Sequence, residues 1–200
     1  MMNLDQMRDE LAQRTQRGVG MPLAGALWWL SIAAAAAVLP MRTALLTAFF
    51  ATGAVFPIGW ALTRLLGGDL MARSPLTGLG MYLNFVQFAY WPVVIALAVK
   101  LPELVPFTLA VLFGSHFIPY GWFYRSAGFL GLGIGAPLIA TLLQWRMPEA
   151  SFTLLPLAMA TVHLIAVARL MIENRSAGTG RVHATSSSDA VARWPAMPRG

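Results

Sequence analysis

The chain contains no cysteine. Disulfides, thiolate-bound zinc, iron–sulfur clusters and cysteine nucleophiles are excluded at once. It is also poor in charge: Asp, Glu, Lys and Arg make up 11% of its 200 residues, against about 25% in an average soluble domain. Acids are scarcer still, and all 8 fall outside the long apolar stretches. Carboxylates are common proton carriers at membrane depth, so their absence there argues against coupling through Asp or Glu, although histidine could still carry a proton. The apolar stretches hold no HExxH motif, carboxylate pair or Ser-His-Asp set. Hydrolytic chemistry therefore lacks its groups, and the balance leans away from an enzyme, with no metal site and no cofactor on the leading reading.

Apolar residues are what the chain has in abundance, 58% of the total with a mean hydropathy of +0.65. Water could not solvate that much apolar surface on a protein of this size, whereas a lipid bilayer would. A membrane helix needs about 20 apolar residues. Such stretches lie at 21–39, 43–63, 79–99, 104–124, 127–145 and 152–172, which predicts an all-α bundle of six transmembrane helices. Residues 1–20 form a cytoplasmic N-terminal segment on this reading. Residues 173–200, rich in Ser, Gly, Ala, Pro and Arg, show no apolar periodicity and read as a disordered cytoplasmic tail.

The net charge of +6 and pI near 10.8 would suggest nucleic acid on a soluble chain. Here the bases are spread between apolar stretches and in the tails, which points to membrane orientation instead and to no nucleic-acid partner. With both termini in the cytoplasm, Arg8, Arg14, Arg17, Arg64, Arg73, Arg125, Arg169, Arg175, Arg181, Arg193 and Arg199 lie inside, and Arg42, Lys100 and Arg146 lie outside. That asymmetry predicts an N-in, C-in protein. Arginine in place of lysine and the high alanine content suggest a GC-rich bacterial genome, hence a multi-pass protein of the bacterial plasma (inner) membrane. The small residues Ala33 to Ala37 offer the competing reading of a cleaved signal peptide, against which stands a long leader containing Asp5, Asp9 and Glu10.

Local patterns add detail. Asn3 with Gln6 three residues on fits a helix N-cap ahead of Leu4, Met7 and Leu11 at helical spacing, suggesting a short interfacial helix. Pro57-Ile58-Gly59-Trp60 with Arg64, and Pro119-Tyr120-Gly121-Trp122 with Arg125, hint at an internal repeat. Prolines Pro57, Pro92, Pro119, Pro137 and Pro156 fall in or near the last five spans, where each would bend or break its helix. Gly131 and Gly135 in the fifth span have the small-xxx-small spacing that allows close helix contact, within the subunit or in a homodimer.

Against this apolar background five polar groups stand out: Asn84, Gln87, His116, Tyr120 and His163. At 1.5 Å per residue, Gln87, His116 and His163 sit about 12–14 Å from the cytoplasmic ends of their spans, and Asn84 and Tyr120 about 6–8 Å. Asn84 and Gln87 share a helical face, as do His116 and Tyr120 if Pro119 does not rotate them apart. Converging, they would form a small uncharged pocket for a neutral solute, whose identity the chain does not reveal. Acting separately, they would be interhelical hydrogen bonds worth about 0.6–2 kcal/mol each. Three functions follow: a small-molecule binding or transport protein using all five as substrate-binding residues, a haem protein ligated by its two intramembrane histidines, or a structural component of a membrane complex. The stretches Asn84 to Pro92 and Ser115 to Arg125 resemble those of small bacterial membrane proteins of unknown function. The resemblance covers most of residues 22–172 and implies a membrane protein, with no activity or site attached.

Overall fold

A computed structural model of the chain describes the backbone of residues 2–192 and the side chains of residues 2–177. Its regular structure is helical throughout the described residues. The elements are α1 (Leu4–Arg14), α2 (Gly20–Val38), α3 (Met41–Leu65), α4 (Thr77–Phe85), α5 (Trp91–Lys100), α6 (Val105–Ser115), α7 (Ile118–Phe123), α8 (Ala127–Arg146) and α9 (Pro148–Ala192). Short 3-10 turns occupy Gln16–Gly18, Val86–Tyr90 and Pro102–Leu104. Joined across their breaks, these give six segments long and apolar enough to cross a membrane: Gln16–Val38, Met41–Leu65, Thr77–Lys100, Pro102–Phe123, Ala127–Arg146 and Pro148–Ala177. The all-α, six-span architecture is the one the hydropathy predicts.

Proline decides which spans are broken. Pro92 and Pro119 stand in the first turn of α5 and α7, each just after an interruption. Lacking an N–H and crowding the carbonyl four residues back, proline cannot continue a helix without bending it, but it starts one well. Pro57, Pro137 and Pro156 instead lie inside continuous helices. The two Pro-x-Gly-Trp motifs therefore differ in local structure.

Helix α2 is the hub, packed along α3 on one side and α9 on the other, while α8 joins α9 to α6 and α7. Glycine permits the α2–α3 crossing: the backbone of Gly20 abuts Gly59 and Thr63, leaving no room for a Cβ. There the Gly20 N–H donates to Thr63 Oγ1 at 3.1 Å, and that hydroxyl donates to the Gly59 carbonyl at 2.8 Å. The α4–α5 span is held least: α4 buries no residue, and α5 buries Val94.

Helix α1 carries the reciprocal Asn3–Gln6 cap, with bonds of 2.9 and 2.8 Å. Leu11 and Ala12 of α1 and its C-cap Thr15 are buried, so this face packs onto one end of the bundle. The turn into α2 has left-handed backbone at Gln16, Arg17 and Gly18 (φ 49°, 50° and 61°). For a non-glycine residue this costs about 1–2 kcal/mol. Asn174 offsets the cost by donating to the Gln16 carbonyl at 3.0 Å and accepting from Arg17 at 2.6 Å. Anchored in this way, α9 continues as helix past 172. Its backbone is helical to Ala192, within the segment from 173 where a disordered tail is expected. Residues 193–200 lie outside the described residues.

Candidate functional site

The two broken spans and α9 enclose, with α1, α2 and α3, a cavity of about 400 Å3. Asn84, Gln87, His116, Tyr120 and His163 all line it. The helix breaks explain how. Asn84 sits at the end of α4 and Gln87 in the 3-10 turn that follows, while His116 caps the C-terminus of α6 just before the interruption ahead of Pro119. Non-helical backbone at membrane depth is tolerated where it is buried in protein or lines a cavity.

Each polar group has a defined partner. Gln87 Nε2 donates to the Asn84 side-chain and main-chain oxygens, both at 3.2 Å. Among the described residues neither amide bonds to another helix, so the two do not act as interhelical glue. His116 Nδ1 lies 2.5 Å from the Phe113 carbonyl and His163 Nδ1 2.8 Å from the Met159 carbonyl. A carbonyl only accepts, so both rings carry hydrogen on Nδ1, which in the neutral imidazole leaves Nε2 as an acceptor. Gly25 on α2 makes room for the His163 ring, since a Cβ there would stand 2.8 Å from Cδ2 and 3.1 Å from Nε2. The Tyr120 hydroxyl donates to the Gly80 carbonyl at 3.0 Å, tying α7 to α4. The hydroxyls of Thr15, Thr52 and Thr77 are bonded back to main-chain carbonyls. Free hydrogen-bonding capacity is thus concentrated in the amide pair and the two imidazoles.

The remaining wall is aromatic. Phe117 packs against both imidazoles, with ring centroids 4.1 Å from His116 and 5.8 Å from His163. Tyr120 meets His116 edge-on at 5.9 Å, so Pro119 does not swing the two apart. Opposite, Trp28 contacts Trp29 at 4.8 Å and Phe113 at 6.2 Å, and Trp91 bridges Phe113 and Phe49 at 5.9 and 5.3 Å. Among the described residues, no Asp, Glu, Lys or Arg lines the cavity.

Charge is gathered instead outside the α1 end. Arg8 donates to the Trp122 carbonyl, stacks 4.3 Å over the Trp122 ring and pairs with Asp5 at 3.0 Å. Arg125 reaches Asp9 at 3.3 Å and Asp5 at 3.8 Å. Glu173 accepts from Ser126 Oγ at 2.6 Å and the Gly128 N–H at 3.1 Å, and faces Arg169 at 3.3 Å and Arg17 at 3.7 Å. Behind this layer, Leu11 of α1 and its C-cap Thr15 floor the cavity.

Several lining residues lay beyond sequence reasoning, among them Leu11, Thr15, Trp29, Phe49 and Phe129. Trp28 and Trp29 in the first span were visible as aromatic residues, but an almost uniformly apolar helix gives no face to point them along. Six spans around a neutral, aromatic-walled cavity define a multi-pass helical membrane protein. Within that class the chain belongs to a family of unknown function (DUF7010), whose model matches residues 4–173. The match runs from α1 to Glu173 and so takes in the whole cavity. No curated protein and no solved structure matches the chain.

Proposed function

We propose that this protein binds, and through binding transports, a small neutral molecule in the cavity. One observation carries the reading: five polar residues from three separate spans meet in a single cavity of about 400 Å3 with no charged side chain in its wall. That volume falls within the roughly 300–1,000 Å3 of sites for small organic molecules, which also pair an apolar wall with a few polar groups. Asn84 and Gln87 offer amide donors and acceptors, His116 and His163 offer Nε2 acceptors, and the aromatic wall suits a planar or apolar body. The protein sits in the bacterial plasma membrane with both termini inside, an orientation supported by the basic residues clustered at the α1 end. A homodimer through α8 is consistent with Gly131 and Gly135, where an added Cβ would meet nothing within 4 Å.

The binding reading is tested with a neutral benzamide carrying a photoreactive diazirine, added to vesicles holding the purified protein. Saturable labelling of the cavity wall is expected. His116→Ala and Asn84→Ala should each weaken it roughly 2–10-fold, as loss of one hydrogen bond implies. Unchanged labelling in both variants would remove the cavity as the binding site.

A further inference from the structure

Burial around the cavity wall is uneven, and the unevenness shows where it opens. Lining residues on α1, α2 and α6–α9 include Thr15, Trp29, Phe117, Phe129 and His163, all buried. By contrast, none of the lining residues on α3 or the α4–α5 span is buried, and Gly53 and Phe88 are exposed. α3 and α4 do not pack along their lengths. The open side is therefore a crevice between these two spans. Gly53 is the midpoint of the Met41–Leu65 span, about 18 Å from either end at 1.5 Å per residue. The crevice thus faces hydrocarbon rather than water. The two spans that flank it also carry large exposed apolar side chains: Phe50 on α3 is 83% exposed, and Tyr82 and Phe85 on α4 are 74% and 51% exposed. The end toward α1 is shut by buried Leu11 and Thr15 beneath a layer of ion pairs.

From this geometry we infer that the ligand is an uncharged amphiphile dissolved in the bilayer, which enters sideways between α3 and α4–α5. The inference rests on the binding reading above and adds a substrate class and a route. Its polar end carries hydroxyl or carbonyl groups that meet the Asn84–Gln87 pair and the imidazole Nε2 atoms. A charged head group does not fit, because an ion moved into a wall without a countercharge loses its solvation with nothing to replace it. The apolar remainder lies along the aromatic wall and trails through the crevice into lipid.

The test uses a monoacylglycerol with a diazirine in its acyl chain, added to phosphatidylglycerol–phosphatidylethanolamine vesicles holding the full chain. Saturable labelling of the inner wall, on peptides containing Phe117 and Phe129, is expected. Gly53→Phe should lower it at least roughly fivefold. The Gly53 Cβ position meets nothing within 4 Å, so the added ring obstructs the crevice without a clash in the helix packing. Leu138→Phe, on an exposed face of α8, should leave labelling unchanged, as should competition with an anionic fatty acid of the same chain length. Labelling confined to lipid-facing side chains overturns the inference. So do interchain disulfides from Phe50→Cys, which would place a second copy over the crevice. If the benzamide labels the wall of the parent protein while the monoacylglycerol does not, or if Gly53→Phe leaves monoacylglycerol labelling unchanged, the sideways route falls and the binding reading stands. If neither probe labels the wall, both fall.

Discussion

Among single residues, Glu173 is under the heaviest constraint outside the cavity. Its carboxylate is 12% exposed and meets two guanidinium groups, one hydroxyl and one main-chain N–H at the start of α8. A helix N-terminus favours negative charge there, and removing one member of a nearly buried ionic network leaves the others uncompensated. Glu173→Ala should destabilise the protein by about 3 kcal/mol, and Glu173→Gln, which keeps an acceptor for Gly128, by roughly half as much. Denaturant unfolding in mild detergent measures both, and equal stability of the alanine variant and the parent would contradict the role. Nothing in the sequence singled this residue out, because it stands at the edge of an apolar run next to a polar tail. The five cavity residues were easier to find, since any polar group at membrane depth is conspicuous.

At the level of elements, the two broken spans and α8 behave differently under similar composition. Breaks near Pro92 and Pro119 turn Gln87 and His116 toward the interior, whereas Pro137 leaves α8 continuous. The glycines of α8 split into two sets. Gly128 packs on Leu170 and Gly133 on Ile118, so these serve contacts within the subunit. Gly131 and Gly135 face open space, the arrangement a second copy of α8 would use. Gly131→Leu should weaken a homodimer roughly tenfold, about 1.4 kcal/mol, read by fluorescence transfer between labelled chains in vesicles. An unaltered transfer curve would take α8 out of the interface. The small-residue spacing was legible in the sequence, but which glycines point inward was not, because α8 is apolar on every side.

The molecule as a whole is closed by charge at one end and open to lipid on one flank. That polarity makes its orientation testable with unusual clarity, since the chain has no cysteine of its own. Glu149→Cys, in the first turn of α9, should react with a membrane-impermeant maleimide on intact cells. Met2→Cys, ahead of α1, should react only after the cells are opened. The reverse pattern would invert the topology. The same N-terminal segment shows how far charge reading alone can go. Arg8, Arg14 and Arg17 serve as orientation signals in the sequence, yet in the fold each is also tied to a specific partner: Trp122, Arg73 and Asn174.

What the sequence determined by itself was the solvent, the helical class and the number of spans. Those depend on local properties: apolar run length against bilayer thickness, and the obligation of backbone groups in lipid to bond within a helix. It also marked the five polar residues, because depth can be counted along a helix. Their meeting in one cavity, the closure of one end by α1, and the crevice between α3 and α4–α5 were decided by tertiary structure alone. In lipid there is little hydrophobic gradient to orient a helix about its axis, so nearly uniform apolar faces carry no address. Glycine contacts such as Gly20 against Thr63, the proline breaks and the Glu173 network supply that address only once the helices are together.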